Sequence, residues 1–151
     1  MKIYTFRQSQ EIPITLEKAW EFFSNPENLN SITPPDLEFR ITSGTPAQMH
    51  EGQIITYKIR IAPMIWQTWV TEIKAVTFQS QFIDEQRSGP YKFWHHCHRF
   101  ESTENGTLIT DEVNYALPFY LLGDIAHGLF VKKKLNKIFQ FRKEILSKKF
   151  G

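Results

Sequence analysis

A chain of 151 residues with 13 Phe, 5 Tyr and 4 Trp is long enough to bury a core, and that many rings either fill the core or line something inside it. A single cysteine excludes an internal disulfide and fits a reducing, cytoplasmic setting. No apolar run reaches the ~20 residues that span a bilayer, and the first ten residues lack the apolar stretch of a secretory signal. The net charge is +2, but the residues from Lys132 onward carry +7 and the rest −5, which marks either a solvated helix face or a surface for anionic partners.

One domain over residues 1–151 is expected at this length. Tyr4, Phe6 and Ile12 alternate with Thr5, Arg7 and Glu11, which predicts a strand ended by Pro13. Thr15 then caps a helix whose apolar positions are Leu16, Ala19, Trp20 and Phe23. Asn25-Pro26-Glu27 starts a second, short helix, and Thr33-Pro34-Pro35 stops it. Leu37, Phe39 and Ile41 alternate as a strand, and Gly44 to Gly52 reads as a loop. Ile55, Tyr57, Ile59 and Ile61 form the next strand, closed by a turn at Ala62-Pro63-Met64. Residues 65 to 74 make a strand with Trp69 and Ile73 on one side. Residues 78 to 86 make another, with Phe78, Phe82, Asp84 and Gln86 in register.

Ser88-Gly89-Pro90 turns the chain into Trp94-His95-His96-Cys97-His98-Arg99-Phe100. Alternation puts Trp94, His96, His98 and Phe100 on one face and Phe93, His95, Cys97 and Arg99 on the other. Glu104-Asn105-Gly106-Thr107 is a hairpin signal. Pairing Glu104 with Thr107 sets Arg99 opposite Glu112, Phe100 opposite Asp111, His98 opposite Val113, His96 opposite Tyr115 and Trp94 opposite Leu117. The aromatic face is then the inner one, and it carries His96, His98, Asp111 and Tyr115, with Asp84 and Gln86 placed to join them. From Pro118 the tail is helical through Leu122, Ile125, Ala126, Leu129, Leu135, Ile138, Phe139, Ile145 and Leu146. Gly123 and Gly128 weaken its start, which predicts an end that is either kinked or late to form. Short-turned antiparallel strands with segregated helices make an α+β domain. Its long helix lies over a curved sheet, and two short helices near one end hold that helix off.

Buried polar groups must be paired or wet, so the inner-face groups either satisfy one another under the helix or floor a cavity. A metal would use His96 and His98 with Asp111 or His127. Histidines two apart on a strand are a weak signal, and neither an HExxH motif nor paired cysteines accompany them, so neither metal nor cofactor is expected. A His–Asp or His–Tyr couple would suit general acid–base chemistry. Cys97 is turned outward. There is no phosphate loop or nucleotide fingerprint, and the basic tail alternates with apolar residues the domain needs, so nucleic acid is not an expected partner.

With these elements in order, the chain resembles the START/polyketide-cyclase (SRPBCC) superfamily over essentially its whole length, in particular bacterial ligand-binding SRPBCC proteins of unassigned function. The most specific stretch is Gly89-Pro90-Tyr91 through Trp94, His96, His98 and Phe100, then Asp111, Tyr115, Leu117-Pro118 and Arg142. The resemblance implies a helix-grip fold, a seven-stranded antiparallel sheet wrapped around the C-terminal helix with a cavity for an apolar ligand. It transfers no catalytic residue. The resulting expectation is a binding protein for a hydrophobic or amphipathic small molecule such as a lipid, polyketide or isoprenoid. Trp69, Phe82, Trp94, Phe100 and Tyr115 would line its cavity, and His96, His98 and Asp111 would orient the ligand's polar end. Pro35, Phe119 and Leu122 would stand at the mouth. The alternatives are a cyclase or dehydratase with His96 or His98 as base, and an interaction module built on the basic helix. The same basic helix offers transient contact with an anionic membrane.

Overall fold

The structure is a computed structural model that describes residues 1–44 and 48–151, the side chains of Tyr120, Leu121 and His127 excepted. Its strands are β1 (Tyr4–Ile12), β2 (Arg40–Ile41), β3 (Ile54–Ala62), β4 (Ile65–Thr77), β5 (Gln81–Ser88), β6 (Phe93–Thr103) and β7 (Gly106–Ala116). They form one antiparallel sheet in the order β1-β7-β6-β5-β4-β3-β2. Helix α1 (Leu16–Phe23) and a 3-10 segment (Pro26–Ile32) follow β1. Helix α2 (Tyr120–Ala126), a wide π turn (His127–Val131) and α3 (Lys132–Phe150) follow β7.

Both expected helix starts form for the expected reason. The Thr15 hydroxyl accepts from the Lys18 amide at 3.3 Å, and the Asn25 side chain accepts from the Glu27 amide at 3.1 Å. Helix α3 buries Leu135, Phe139, Arg142 and Leu146, a stripe at helical spacing. The sheet holds it with polar groups as well as apolar ones. Gln8 of β1 donates to the Phe139 carbonyl at 3.1 Å, and Gln10 donates to the Lys143 carbonyl at 2.9 Å.

The core divides in two. At one end, α1 sets Trp20 edge-on to Phe82 and Phe100, with Ile12, Ile109 and Leu146 around them. At the other, Trp69, Trp94, Val113 and Tyr115 of the sheet pack with Leu135 and Phe139 of α3.

Four local expectations are corrected. The β6–β7 register is Thr103 with Gly106, so His98 faces Asp111, His96 faces Val113 and Trp94 faces Tyr115. The turn is Glu104-Asn105, and Gly106 belongs to the strand. At its φ of 150°, a Cβ would stand 2.1 Å from the Ile12 carbonyl oxygen, so only glycine lets β1 end against β7 there. The shift is two residues, which preserves both faces, and Arg99 still reaches Glu112 diagonally at 3.6 Å. Strand β2 holds only Arg40–Ile41, because Pro35–Leu37 forms a 3-10 turn and Glu38 takes a left-handed φ of 44°. Phe78 lies in the turn before β5, where Gln79 is left-handed at φ 55°. Cys97 is buried despite its outward parity. Near the two glycines the helix is interrupted by the π turn that contains Gly128.

Candidate ligand-binding cavity and its polar floor

Between the two halves of the core, the concave face of the sheet and α3 enclose a cavity of about 600 Å³, within the usual range for small-molecule sites. Ile55, Tyr57 and Ile59 of β3, Trp69 of β4, and Phe82 and Trp94 of β5 and β6 form its sheet wall. Leu135, Ile138 and Phe139 of α3 face them. Its polar floor comprises Thr71, Asp84, His96, His98 and Arg142. Phe119 and Leu122 stand at the rim, exposed at 77% and 72%.

The expected site residues thus divide. Trp69, Phe82, Trp94, His96, His98, Phe119 and Leu122 border the cavity. Phe100 does not, because α1 claims it for the core cluster around Trp20. Tyr115 is packed behind Tyr91 and Trp94, and Asp111 lies behind the two imidazoles. Leu37 and Pro90 take the rim place expected of Pro35, since the 3-10 turn carries the chain inward after it. Sequence reasoning passed over Tyr57, Thr71 and Arg142 as site residues. Arg142 had a signal: it is the one charged residue on the buried stripe of α3.

His96 and His98 lie two apart on β6, so both rings project inward, and they stack with centroids 3.7 Å apart. Phe82 continues the stack against His98 at 4.1 Å. A carboxylate stands on either side of the pair. Asp111 lies 2.8 Å from His96 Nε2 and 3.1 Å from His98 Nδ1. Asp84 lies 2.7 Å from His98 Nε2 and 3.7 Å from His96 Nδ1. All four ring nitrogens therefore face a carboxylate.

Burial raises the Asp111 carboxyl, but hydrogen bonds from His96 and His98 outweigh it and hold Asp111 well below the ordinary carboxylate range. Asp84 is lowered in the same way, against burial, by His98 and the imidazole charges, with a hydrogen bond from the Trp94 indole. Burial depresses His98, yet hydrogen bonds to Asp111 and Asp84 raise it overall. His96 is lowered, first by burial and then by the charge on His98. The opposite shifts make His98, rather than His96, the ring that takes up an extra proton first. Arg142, 3.8 Å from Asp111, adds a permanent cation beside the two carboxylates.

Asp84, His96 and His98 also bring three metal-type ligand atoms within 4.8 Å of one another. In this structure Asp84 and His98 meet in a hydrogen bond of 2.7 Å, beside two imidazole rings tilted by 31°. His127 falls outside the described side chains.

Two buried donors on the cavity wall have no partner among the described residues: Trp69 Nε1 and Arg142 Nε. Between them stands Tyr57, stacked on Trp69 at 5.8 Å, with its hydroxyl 3.2 Å from that of Thr71. Burial and the Asp84 charge push the Tyr57 phenol far up, so it remains a neutral hydroxyl.

No protein-family profile matches the chain, and no curated protein sequence does. Solved structures do match in shape. The protein TTHA0849 from Thermus thermophilus aligns over 95% of this chain and 97% of its own, with TM-score 0.69 and 14% identity. Ara h 8.0201 aligns over 96% and 98%, with TM-score 0.63 and 16% identity. Protein CV1439 from Chromobacterium violaceum aligns over 95% and 94%, with TM-score 0.71 and 11% identity. At these identities the likeness is one of fold alone, and that fold is the helix-grip one.

Proposed function

We propose that this chain binds a hydrophobic or amphipathic small molecule, such as a lipid, polyketide or isoprenoid, inside the cavity. The observation that carries the reading is a space of about 600 Å³ walled by aromatic and aliphatic side chains over one polar floor. Apolar walls supply affinity through area removed from water, and the few polar groups set orientation. The reading is tested with the neutral dye N-phenyl-1-naphthylamine. It should bind the folded protein at about one site per chain, and Ile59→Trp, which fills space on the β3 wall, should abolish that binding. A dye that lights up only on unfolded chain would remove the proposal. Native mass spectrometry of freshly purified protein identifies any molecule carried along. A cyclase or dehydratase reading, with His96 or His98 as base, requires a ring nitrogen to reach substrate. Carboxylates hold three of the four ring nitrogens at 2.7, 2.8 and 3.1 Å, which leaves His96 Nδ1, 3.7 Å from Asp84, as the one candidate base.

The mouth favours uptake from an anionic bilayer. Phe119, Leu122, Ile125, Leu129 and Phe130 are exposed apolar side chains beside the exposed Lys132, Lys133 and Lys134. Apolar residues enter the headgroup region while lysines meet anionic lipid, each adding roughly 1 kcal/mol near the surface. Vesicle sedimentation should show binding to anionic but not neutral vesicles, weakening as salt shortens the screening length from ~10 Å to ~3 Å. Changing the three lysines to Glu should eliminate it. Equal, negligible binding to both vesicle types at low salt would leave the mouth with no membrane role.

A further inference from the structure

Resting on the cavity-binding reading, we infer that the occupant presents an anionic oxygen group, of the carboxylate class, to Arg142 and Trp69.

The first observation is a guanidinium without a hydrogen-bonding partner. Arg142 sits on the buried stripe of α3 at 7% exposure and borders the cavity. Its Nε is buried with no partner. Its nearest anion is Asp111, 3.8 Å from Nη1, and Asp111 Oδ1 is already committed to His96 at 2.8 Å and His98 at 3.1 Å. Among the described residues Arg142 has an ion pair at long range and a Phe139 ring 4.8 Å away, but no hydrogen bond. Guanidinium is a planar fork of five donors, and a buried fork left open is costly unless something fills it.

The second observation is independent and lies across the cavity. Trp69, also 7% exposed, has a buried indole N–H with no acceptor. An indole nitrogen only donates, so it too asks for an acceptor atom. Tyr57 lies near both, stacked on Trp69 and within reach of the Arg142 charge, which only partly offsets the burial that pushes its phenol up. The anionic wall group among the described residues, Asp84, is covered by His98 at 2.7 Å and by the Trp94 indole. The unmet groups of the floor are therefore donors. A carboxylate supplies two acceptor oxygens in the geometry a guanidinium fork matches. The +7 tail, with exposed Lys134 on the cavity's border, draws anions toward the entrance.

The test is displacement of bound N-phenyl-1-naphthylamine by dodecanoate and by 1-dodecanol, two probes with the same tail and different heads. It is run at a pH where the acid is ionised. Wild type should prefer dodecanoate by at least about tenfold, the scale of one charge-assisted contact. In Arg142→Met the ratio should fall to about one, and in Trp69→Phe by about threefold. Arg142→Lys should retain part of the preference, since it keeps the charge and loses the fork. A wild type that displaces the dye equally well with both probes overturns the inference and leaves the cavity reading standing. So does a folded Arg142→Met that keeps the wild-type ratio. If Arg142→Met does not fold, wild type and Trp69→Phe decide alone: no acid preference, or a preference untouched by Trp69→Phe, overturns the shared donor site. Failure of the dye to bind wild type removes both readings.

Discussion

Asp111 is where the inner-face network converges: it accepts from both histidines and stands nearest Arg142. Asp111→Leu would leave two imidazole nitrogens and a guanidinium without their buried anion, so it should cost about 3–5 kcal/mol in chemical denaturation. A loss below about 1 kcal/mol would mean the network holds little of the fold together. The pH dependence follows from the directions of the shifts. Asp84 and Asp111 are lower in the folded state than in the unfolded chain, where carboxylates titrate near ~4. Their contribution is present above that value and lost as pH falls through the folded values. His98 is raised, so its contribution is full below ~6.5 and fades as pH rises through its folded value. Lowered His96 opposes it by favouring the unfolded state as pH falls below ~6.5. Stability should therefore change little around neutrality and drop steeply in acid, and urea midpoints measured against pH should show the acid limb flattened in Asp111→Asn. At this scale the histidines and Asp111 were legible, because period-two alternation fixes a face whatever the register. Arg142 was named only as part of the resemblance: composition reads it like the lysines around it, and its place on the buried stripe is what marks it as a site residue.

Among the elements, the β6–β7 hairpin shows how a right face can come from a wrong register. Asn105-Gly106 signals a turn, but the end of β1 presses on Gly106, and that contact is tertiary and invisible to a local motif. Gly106→Ala must push the Ile12 carbonyl aside, so a loss of about 2–4 kcal/mol is expected, read as a lower melting temperature. A melt within a degree or two of the parent would show that β1 yields there easily. The tail was legible as helix and as broken helix, since two glycines near its start weaken propensity. Its division into α2, a π turn and α3 depends on what packs beneath it, which is why the exact joint was not readable.

In the molecule as a whole, α3 covers the sheet's inner face in both halves of the core, whereas α1 covers only the end around Trp20. Ending the chain before Lys132 would remove Leu135, Phe139 and Leu146 from both halves of the core. The shortened chain should lose cooperative thermal unfolding; a sharp transition near the parent temperature would show that the sheet stands without its helix. The sheet order also carries a consequence for how the chain is made. The first strand pairs with the last, Tyr4 against Tyr115 and Ile12 against Thr107. During synthesis β1 therefore emerges long before β7, its sheet neighbour among the described residues, and neither of its edges is paired until β7 leaves the ribosome. That closure spans most of the chain, which places refolding on the slow, non-local side, milliseconds to seconds rather than microseconds. In the interval the nascent strand is a template for any passing edge, and Arg7 and Glu11, charged and partly or fully exposed along it, are the residues that discourage such strangers.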